Sequence, residues 1–223
     1  QVAGLQVYTS SGEPSEGVSM RLRGIGSINS SNEPLFILDG SPISGGAFTA
    51  INPSDIENVT VLKDASSTSI YGSRAANGVV VITTKRGRGA KPTVSIKGQY
   101  GFSEPALPTT RMMTTSQYYD LWKTISPNAD FSIIRKYMDM GISTDWQSYL
   151  MKDNAPTWQL DASITGVANN TNYFISASHY DQDGVEPASG MRRETLRSNI
   201  DTKVFDWLRV GVNLGLSYED YET

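Results

Sequence analysis

Cysteine is absent from the 223 residues, and histidine occurs only once, as His179. The chain therefore has no disulfide and no thiolate that could bind a metal or act as a nucleophile. No run of about 18 apolar residues occurs, so the sequence contains no transmembrane helix. A membrane protein remains compatible with this composition, because strands that face lipid alternate apolar with polar residues and keep the overall hydrophobicity low.

Positive charge is also scarce. The sequence has 19 lysines and arginines against 23 aspartates and glutamates, which gives a formal net charge of −4. This mild acidity argues against a nucleic-acid-binding protein, since such proteins neutralise phosphates with basic residues. The chain opens at Gln1 without a secretory signal pattern, and we expect it to be part of a larger mature protein.

The residue patterns of an enzyme are missing as well. Ser73 has no nearby base, and His179 lies far along the chain on a predicted strand. No nucleophile elbow and no spacing typical of metal ligands indicates a catalytic site. Gly24-Ile25-Gly26 is not a dinucleotide-binding loop, because Asn29 stands where the third glycine belongs. We therefore expect no enzyme activity, no cofactor and no metal.

Residues 34–89 organise the first part of the chain. They contain three short apolar runs, Leu35–Leu38, Val59–Leu62 and Val79–Ile82. Turn-forming pairs separate the runs, at Asp39-Gly40, Gly45-Gly46, Asn52-Pro53 and Asn77-Gly78. Short apolar runs between turn signals are typical of buried strands.

Short helices are predicted between these strands. Asn52 is a suitable cap for a turn of helix with Pro53 at its first position, where a missing N–H costs nothing. Asp64 is a suitable cap for a second short helix that ends at Gly72. The strands and helices together predict a small α+β domain.

A resemblance to a known family rests on three segments: GVSMRLRGIGSIN, PLFILDG and INPSDIENVTVLKDASSTSIYGSRAANGVVVITTKRG. In this order they resemble the plug domain of TonB-dependent outer-membrane transporters, and most closely the SusC/RagA-like branch. TDWQ at 144–147 and YDQDG at 180–184 are also typical of that branch. The resemblance implies an α+β plug domain, a small sheet with short helices, over residues 1–90.

After Lys91, apolar and polar residues alternate in segments of about ten residues. The clearest segment has Leu208, Val210, Val212, Leu214, Leu216 and Tyr218 against Arg209, Gly211, Asn213, Gly215 and Ser217. In the third segment, Ile175 and Ala177 are predicted to face away from Ser176 and Ser178. A membrane barrel uses this pattern, with lipid outside and water inside, although a soluble sandwich shows the same alternation.

The connections favour the barrel. Residues 168–171 and 205–207 form short links, whereas the links between the first and second strands and between the third and fourth strands are longer. All short turns then lie at one end, as in outer-membrane barrels, whose long loops are extracellular. Aromatic residues near strand ends are candidates for an interfacial girdle: Trp158, Tyr173, Phe205, Trp207 and Tyr218. We predict that residues 91–223 are the first antiparallel strands and extracellular loops of a transmembrane β-barrel, incomplete in this chain because five strands cannot close it.

The segment KRGRGAKP, which begins at Lys85, separates the two predicted domains. It has too few charges and no interleaved aromatic residue for a nucleic-acid site. Its glycines predict a flexible linker.

The resemblance also implies a function. It implies TonB-dependent import of a bulky nutrient, an oligosaccharide or a peptide, across the bacterial outer membrane, with the plug gating the barrel lumen. The implied partners are the TonB complex, outer-membrane lipid and a SusD-like surface lipoprotein that closes over the barrel as a lid. The alternatives are a siderophore or other metal-chelate transporter of the same superfamily, and a non-transporting surface glycan-binding β-protein, which would need no plug.

Charged residues are predicted to hold the plug in the lumen. The candidates are Arg21, Arg23, Lys63, Asp64 and Arg74 on the plug and Arg197, Asp201, Lys203 and Arg209 on the barrel strands. In a water-lined interface each pair should contribute only about 0–1 kcal/mol, which suits a contact that mechanical force can break. The candidates for substrate binding are Tyr118, Tyr119 and Trp122, because exposed aromatic residues commonly bind sugars.

Residues 105–156 form the long first loop and contain two helical patterns. Ser116 is predicted to cap the first helix, and the second is predicted to begin at Asp130. Their apolar residues are expected to be mostly buried within the loop or against the partner: Leu121, Trp122, Ile125, Ile133, Ile134 and Tyr137. A prefolded loop of this kind is predicted to be the docking surface for the lid lipoprotein.

Overall fold

The computed structural model describes residues 5–8, 13–14, 19–22, 33–64, 68–105 and 112–222. In this part of the chain the strands form sheets of two, four and five strands. The plug contains β1 Leu5–Tyr8, β2 Ser19–Leu22, β3 Leu35–Leu38, β4 Ser41–Ile43, β5 Ile56–Leu62 and β6 Val79–Thr84. The five-stranded sheet, called the wall below, contains β7 Thr93–Ser103, β8 Ala155–Ala168, β9 Thr171–Asp183, β10 Gly190–Phe205 and β11 Leu208–Glu222.

The helices are short. The plug has α1 Gly45–Thr49 and two 3-10 turns, Pro53–Asp55 and Ser69–Ala75. The long loop has α2 Thr115–Ile125, α3 Ser132–Asp139 and α4 Trp146–Leu150. None of the helices in the described ranges is long and apolar enough to cross a lipid bilayer.

The main plug sheet has the order β4-β3-β6-β5. The central strands β3 and β6 run parallel, with Ile37 opposite Val81, and β5 pairs antiparallel with β6. Both faces of the central pair are covered, because Phe36, Val80 and Ile82 pack on one side and Ile37 and Val79 on the other. A central strand that is buried on both faces has a continuous run of apolar residues in its sequence. This is why β3 and β6 could be predicted.

The turns of the plug follow most of the predicted signals. The Asn52 side chain accepts a hydrogen bond from the Ser54 amide at 2.8 Å, and Pro53 occupies the first helical position, so this prediction is confirmed. Gly72 has φ +67°, a conformation that favours glycine, and it breaks the turn Ser69–Ala75 internally rather than ending it. The predicted cap at Asp64 concerns a helix whose first residues, 65–67, lie outside the described residues.

The wall is an antiparallel meander with the order β11-β10-β9-β8-β7. Two-residue connections join β8 to β9 and β10 to β11, with Ala168 paired to Thr171 and Phe205 paired to Leu208. The long connections, 104–154 and 184–189, lie at the opposite end of the sheet. The predicted order of short and long links is confirmed.

One face of the wall is covered by the plug. On β9, Phe174, Ser176 and Ser178 are buried, whereas Ile175 and Ala177 point to the other face and are exposed. The same alternation continues on β10, where Arg197 and Asn199 are buried beside exposed Leu196 and Ile200, all as the sequence pattern predicts. The wall therefore has a polar face toward the plug and an apolar outer face.

The long loop folds in part as predicted. Helix α2 begins after Thr114, which forms a capping box with Gln117, so the predicted cap at Ser116 is wrong by two residues. Helix α3 begins at Ser132, and Asp130 accepts a hydrogen bond from the Ser132 amide at 2.9 Å.

Most of the apolar loop residues that were expected to be buried within the loop or against the partner are not buried within the loop, and their burial against a partner stays a prediction. Leu121, Trp122, Ile125, Ile133 and Tyr137 are between 40% and 68% exposed. Two short helices offer too little surface to cover one another. Tyr119 is the buried side chain of α2, and its hydroxyl accepts hydrogen bonds from the Arg135 guanidinium on α3 at 2.9 and 3.1 Å.

Candidate functional site

A buried ion pair joins the plug to the wall. Asp55, the last residue of the turn Pro53–Asp55, places Oδ2 3.6 Å from Nε of Arg197 on β10. The Asp55 and Arg197 side chains are only 4% and 10% exposed. The predicted weak, water-lined contact is therefore wrong for this pair, because burial removes the solvent screening that makes surface pairs weak.

The surroundings of Asp55 disfavour its charged form. Burial raises the pKa of the Asp55 carboxyl above its usual value of 3.8, and the nearby Asp161 carboxylate acts in the same direction. The Ser176 hydroxyl, the Arg197 guanidinium and the Lys85 ammonium group lower the pKa but do not cancel the effect of burial. A carboxylate in such an environment depends on its cation.

A chain of hydrogen bonds makes the second contact. Nδ2 of Asn199 on β10 donates to Oγ1 of Thr84 and to the carbonyl oxygen of Lys85, both at 2.8 Å. The Thr84 hydroxyl in turn donates to Oδ2 of Asp39 at 2.6 Å, and the Thr84 amide donates to Oδ1 of Asp39 at 2.9 Å. Asn199 and Thr84 are 1% and 0% exposed, so two buried side chains connect the wall to Asp39 in the turn between β3 and β4.

The third contact uses a wall carboxylate. Asp161 on β8 accepts hydrogen bonds from Nδ2 of Asn52 on one oxygen and from the Ser54 hydroxyl on the other, each at 2.8 Å. Asn52 thus caps a turn of the plug and binds the wall at once. On β10, Nη1 of Arg193 donates to the carbonyl oxygen of Thr49 at 2.8 Å, which fixes the end of α1.

The segment from Lys85 to Pro92, called the strap below, connects β6 to β7 along the wall. Nη1 of Arg86 lies 2.7 Å from Oδ2 of Asp201 on β10, and these two side chains are 40% and 30% exposed. The Gly89 carbonyl accepts a hydrogen bond from the Val167 amide at 3.0 Å.

Close packing also holds the strap. A side chain at Gly87 would overlap the backbone of Tyr173 and Gly166, so residue 87 has to be glycine for the chain to pass. The Arg88 amide donates to the Thr165 hydroxyl at 3.2 Å. The prediction of a flexible linker is therefore wrong, because wall atoms satisfy the backbone of the strap.

Two cavities flank the buried ion pair. A cleft of about 340 Å³ separates the plug from β10 and β11, and its lining includes Asp39, Asp55, Thr195, Arg197, Asn213 and Ser217. A smaller cavity of about 100 Å³ lies between the turn Pro53–Asp55 and strands β7, β8 and β9. The interface is therefore polar and loosely packed beside its few strong contacts.

Two of the predicted plug–barrel residues, Arg197 and Asp201, form ion pairs across the interface. Arg209 is exposed on β11 opposite Lys203, which pairs with Asp206 in the adjacent turn at 2.7 Å. The contact role of Arg209 stays a prediction.

The predicted plug residues lie elsewhere. Arg21 lies 4.9 Å above the ring of Tyr8, Lys63 is half-buried, and Asp64 and Arg74 are exposed. Arg23 lies outside the described residues. Among the substrate-binding candidates, Tyr119 belongs to the small core between α2 and α3, whereas Tyr118 and Trp122 are 45% and 40% exposed, and their role stays a prediction.

The plug residues that contact the wall were not among the predicted ones. Asn52, Ser54 and Asp55 lie in one turn of INPSDIE that the sequence showed only as a cap. A signal was available, because this short turn carries three polar side chains between the apolar residues Ile51 and Ile56. Arg86 was attributed to a linker, since sequence spacing does not show that the strap lies on β10.

Comparisons with known proteins agree with this arrangement. Residues 1–79 match the family model described as TonB-dependent Receptor Plug Domain. The chain is 35% identical over 226 residues to the TonB-dependent receptor SusC of Bacteroides thetaiotaomicron, covering 96% of the chain and 21% of that protein. It is 37% identical over 229 residues to the TonB-dependent receptor P26 of Formosa agariphila, covering 100% of the chain and 23% of that protein.

A solved structure extends the similarity to the whole described fold. The structure of the RagAB peptide transporter superposes with a TM-score of 0.89 and 32% identity, covering 100% of this chain and 28% of that one. The chain belongs to the SusC/RagA-like branch of the TonB-dependent receptors. It spans between 21% and 23% of the length of the two curated relatives.

Proposed function

We propose that this chain gates the import of an oligosaccharide or a peptide across the bacterial outer membrane, with the plug as the gate. The observation that carries the proposal is the contact between plug and wall, in which a few charged and amide groups hold a separately folded domain. The RagAB peptide transporter supports the peptide class, whereas the oligosaccharide class rests on the resemblance of the sequence to the SusC/RagA-like branch.

The contacts are suited to reversible release. The Arg86–Asp201 pair is partly exposed, so its net contribution is about 0–1 kcal/mol. The cleft of about 340 Å³ beside Arg197 leaves room for side chains to rearrange when the plug moves. Force transmitted by the TonB complex is proposed to break these contacts while the main plug sheet stays folded.

The outer face of the wall is proposed to contact lipid. From Leu208 to Tyr218 the outward side chains of β11 form an apolar row. Ten residues span about 34 Å along a strand and about 26 Å along the membrane normal at a tilt of about 40°, which matches an apolar band of about 25 Å. Phe205 and Trp207 stack at the turn end, with ring centroids 5.7 Å apart, where an interfacial girdle is expected.

The long loop is proposed to be extracellular and to dock a SusD-like lipoprotein. The loop leaves the wall at the end of β7 opposite the short turns. Its helices expose a groove of about 590 Å³, lined by Met112, Met113, Tyr118, Ile134, Tyr137, Ile142 and Trp146. An exposed groove lined by apolar and aromatic side chains is a suitable docking site for a protein partner.

A charge swap in the full-length transporter tests the gate. Uptake is measured with a fluorescently labelled oligosaccharide digest and with a labelled tryptic peptide pool. Arg86→Asp and Asp201→Arg should each alter uptake, since each leaves like charges facing one another, and the double variant should restore it. Failure of the double variant to recover uptake would contradict the gate, and uptake of neither pool by the unaltered protein would contradict the substrate classes.

A further inference from the structure

We infer that Gly211 and Gly215 on β11 are positioning residues for the plug, because they leave the space that two of the charged wall residues at this interface, Asp201 and Arg197, occupy. In the ladder between β10 and β11, Gly211 is the direct partner of Asp201, and Gly215 is the direct partner of Arg197. Asp201 pairs with Arg86 of the strap, and Arg197 pairs with Asp55 of the plug.

The clearance at Gly211 is the tighter of the two. A methyl group at this position would lie 2.5 Å from Oδ1 of Asp201. That distance is well inside van der Waals contact, so the carboxylate would have to move. Asp201 has a short side chain, and its other oxygen is bound to Arg86 at 2.7 Å. A shift of the carboxylate therefore changes the pair with the strap.

At Gly215 the neighbour is a flat group. A methyl group there would lie 3.3 Å from Nη2 of Arg197 and 3.6 Å from both Cζ and Nη1. These nearly equal distances show that the guanidinium plane lies across residue 215. The cleft beside Arg197 gives a displaced guanidinium room to move, and any such movement changes its separation from Asp55.

Backbone geometry does not explain these glycines. Neither has a positive φ, so an alanine would fit the strand conformation at both positions. Glycine in the middle of a strand weakens it and commonly marks a close approach by another group. Gly101 on β7 provides the comparison, since it lies inside the same sheet and a methyl group there would meet no atom within 4 Å.

This inference rests on the proposed role of the plug as a gate. Docking of the plug can be measured without transport, so the inference can fail while the proposed function holds, and the reverse. The readout is the rate of alkylation of a cysteine introduced at Ser176, which is 5% exposed and faces the plug. The full-length transporter in outer membranes is used, and heat-dependent gel mobility shows that each barrel variant has folded.

Gly211→Ala should raise the alkylation rate most, Gly215→Ala less and Gly101→Ala not at all. Overpacking of this kind changes an equilibrium by roughly fivefold to a hundredfold. In an Asp201→Ala background the effect of Gly211→Ala should disappear, whereas that of Gly215→Ala should persist. The converse should hold in an Arg197→Ala background.

Either of two alkylation results would overturn the inference, and so would a folding defect. One is equal alkylation rates for the variants at residues 211, 215 and 101. The other is an effect of Gly211→Ala that is unchanged after Asp201 is removed, since the glycine would then act through the strand itself. A Gly211→Ala barrel that does not fold also contradicts it, because a positioning role leaves the wall intact.

Discussion

Nε of Arg197 on the wall lies 3.6 Å from Oδ2 of Asp55 in the plug, and both side chains are almost fully buried. This separation is longer than a charge-assisted hydrogen bond, which measures about 2.7–2.9 Å. The two charges therefore attract one another across a gap that a small movement of the plug would widen. Either residue left alone would be a buried charge without its partner.

Replacing Arg197 by methionine should weaken plug docking by about 3–5 kcal/mol, the usual cost of removing one partner from a buried pair. The measurement is the urea concentration at which a cysteine at Ser176 becomes reactive. Lys203→Met is the control, because the Lys203–Asp206 pair is at the surface and contributes at most about 1 kcal/mol. The double variant Asp55→Leu with Arg197→Met should recover most of the loss. Equal losses for Arg197→Met and Lys203→Met would show that the buried pair does not hold the plug.

The same carboxyl should make docking depend on pH. Burial raises the pKa of Asp55 above 3.8. The Asp55 carboxyl therefore keeps its proton to higher pH when the plug is docked than when the plug is released. The contribution of Asp55 to the free energy of docking is therefore fully present below the usual pKa, and it is lost as the pH rises through the raised pKa. A fluorophore on a cysteine at the exposed residue Asn58 reports release by a fall in anisotropy. Asp55→Asn should remove this part of the pH dependence, and an unchanged profile would contradict the assignment.

Sequence patterns predicted the elements of the fold better than the contacts between them. The runs that became β3 and β6 and the alternation on β9 and β10 reflect local burial, which each strand carries in its own residues. The Asp55–Arg197 contact depends on how two domains pack against one another, and the periodicity of apolar residues within a strand carries no information about that packing. The cap at Thr114 was recoverable, because Gln117 follows it at capping-box spacing.

The outer face of the wall should tolerate polarity far less than its inner face. Val212 points outward and is 59% exposed, whereas its neighbour Asn213 lines the cleft toward the plug. Val212→Arg should cost roughly 2–4 kcal/mol if the residue lies near the bilayer midplane. Asn213→Arg should be mild, since the cleft contains Asp39 and Asp55. Folding into lipid vesicles measures both, and similar losses would mean that the assigned faces are wrong.

The strap should be sensitive to a single added methyl group. Gly87→Ala places a side chain against the backbone of Tyr173, which cannot rotate away, so it should cost about 1–3 kcal/mol or more. Gly46→Ala is the matched change, because a methyl group on this residue of α1 meets nothing within 4 Å. Protease cleavage within the strap, measured for both variants in membranes, should increase only for Gly87→Ala. Equal cleavage would mean that the strap is not held by close packing.

The long loop should carry the binding energy for the lid lipoprotein in its exposed apolar groove. Buried apolar and aromatic anchors dominate such interfaces, and charged residues at the rim contribute little. Deleting residues 112–140 should therefore abolish association with the lipoprotein while the barrel still folds and inserts. Copurification of the tagged full-length transporter with its lipoprotein measures the association.

Point variants test whether the apolar groove itself, and not only an intact loop, is needed to bind the lipoprotein. Tyr137→Asp and Trp146→Asp place a charge in the groove, where desolvation on docking penalises it, and each should reduce copurification at least about tenfold. Lys123→Ala and Lys136→Ala alter charges on α2 and α3 and should reduce it less than about threefold. If the lysine variants lose the lipoprotein while the aspartate variants keep it, polar contacts rather than the groove hold the lid. Full copurification by the deletion variant would show that the loop does not take part in docking.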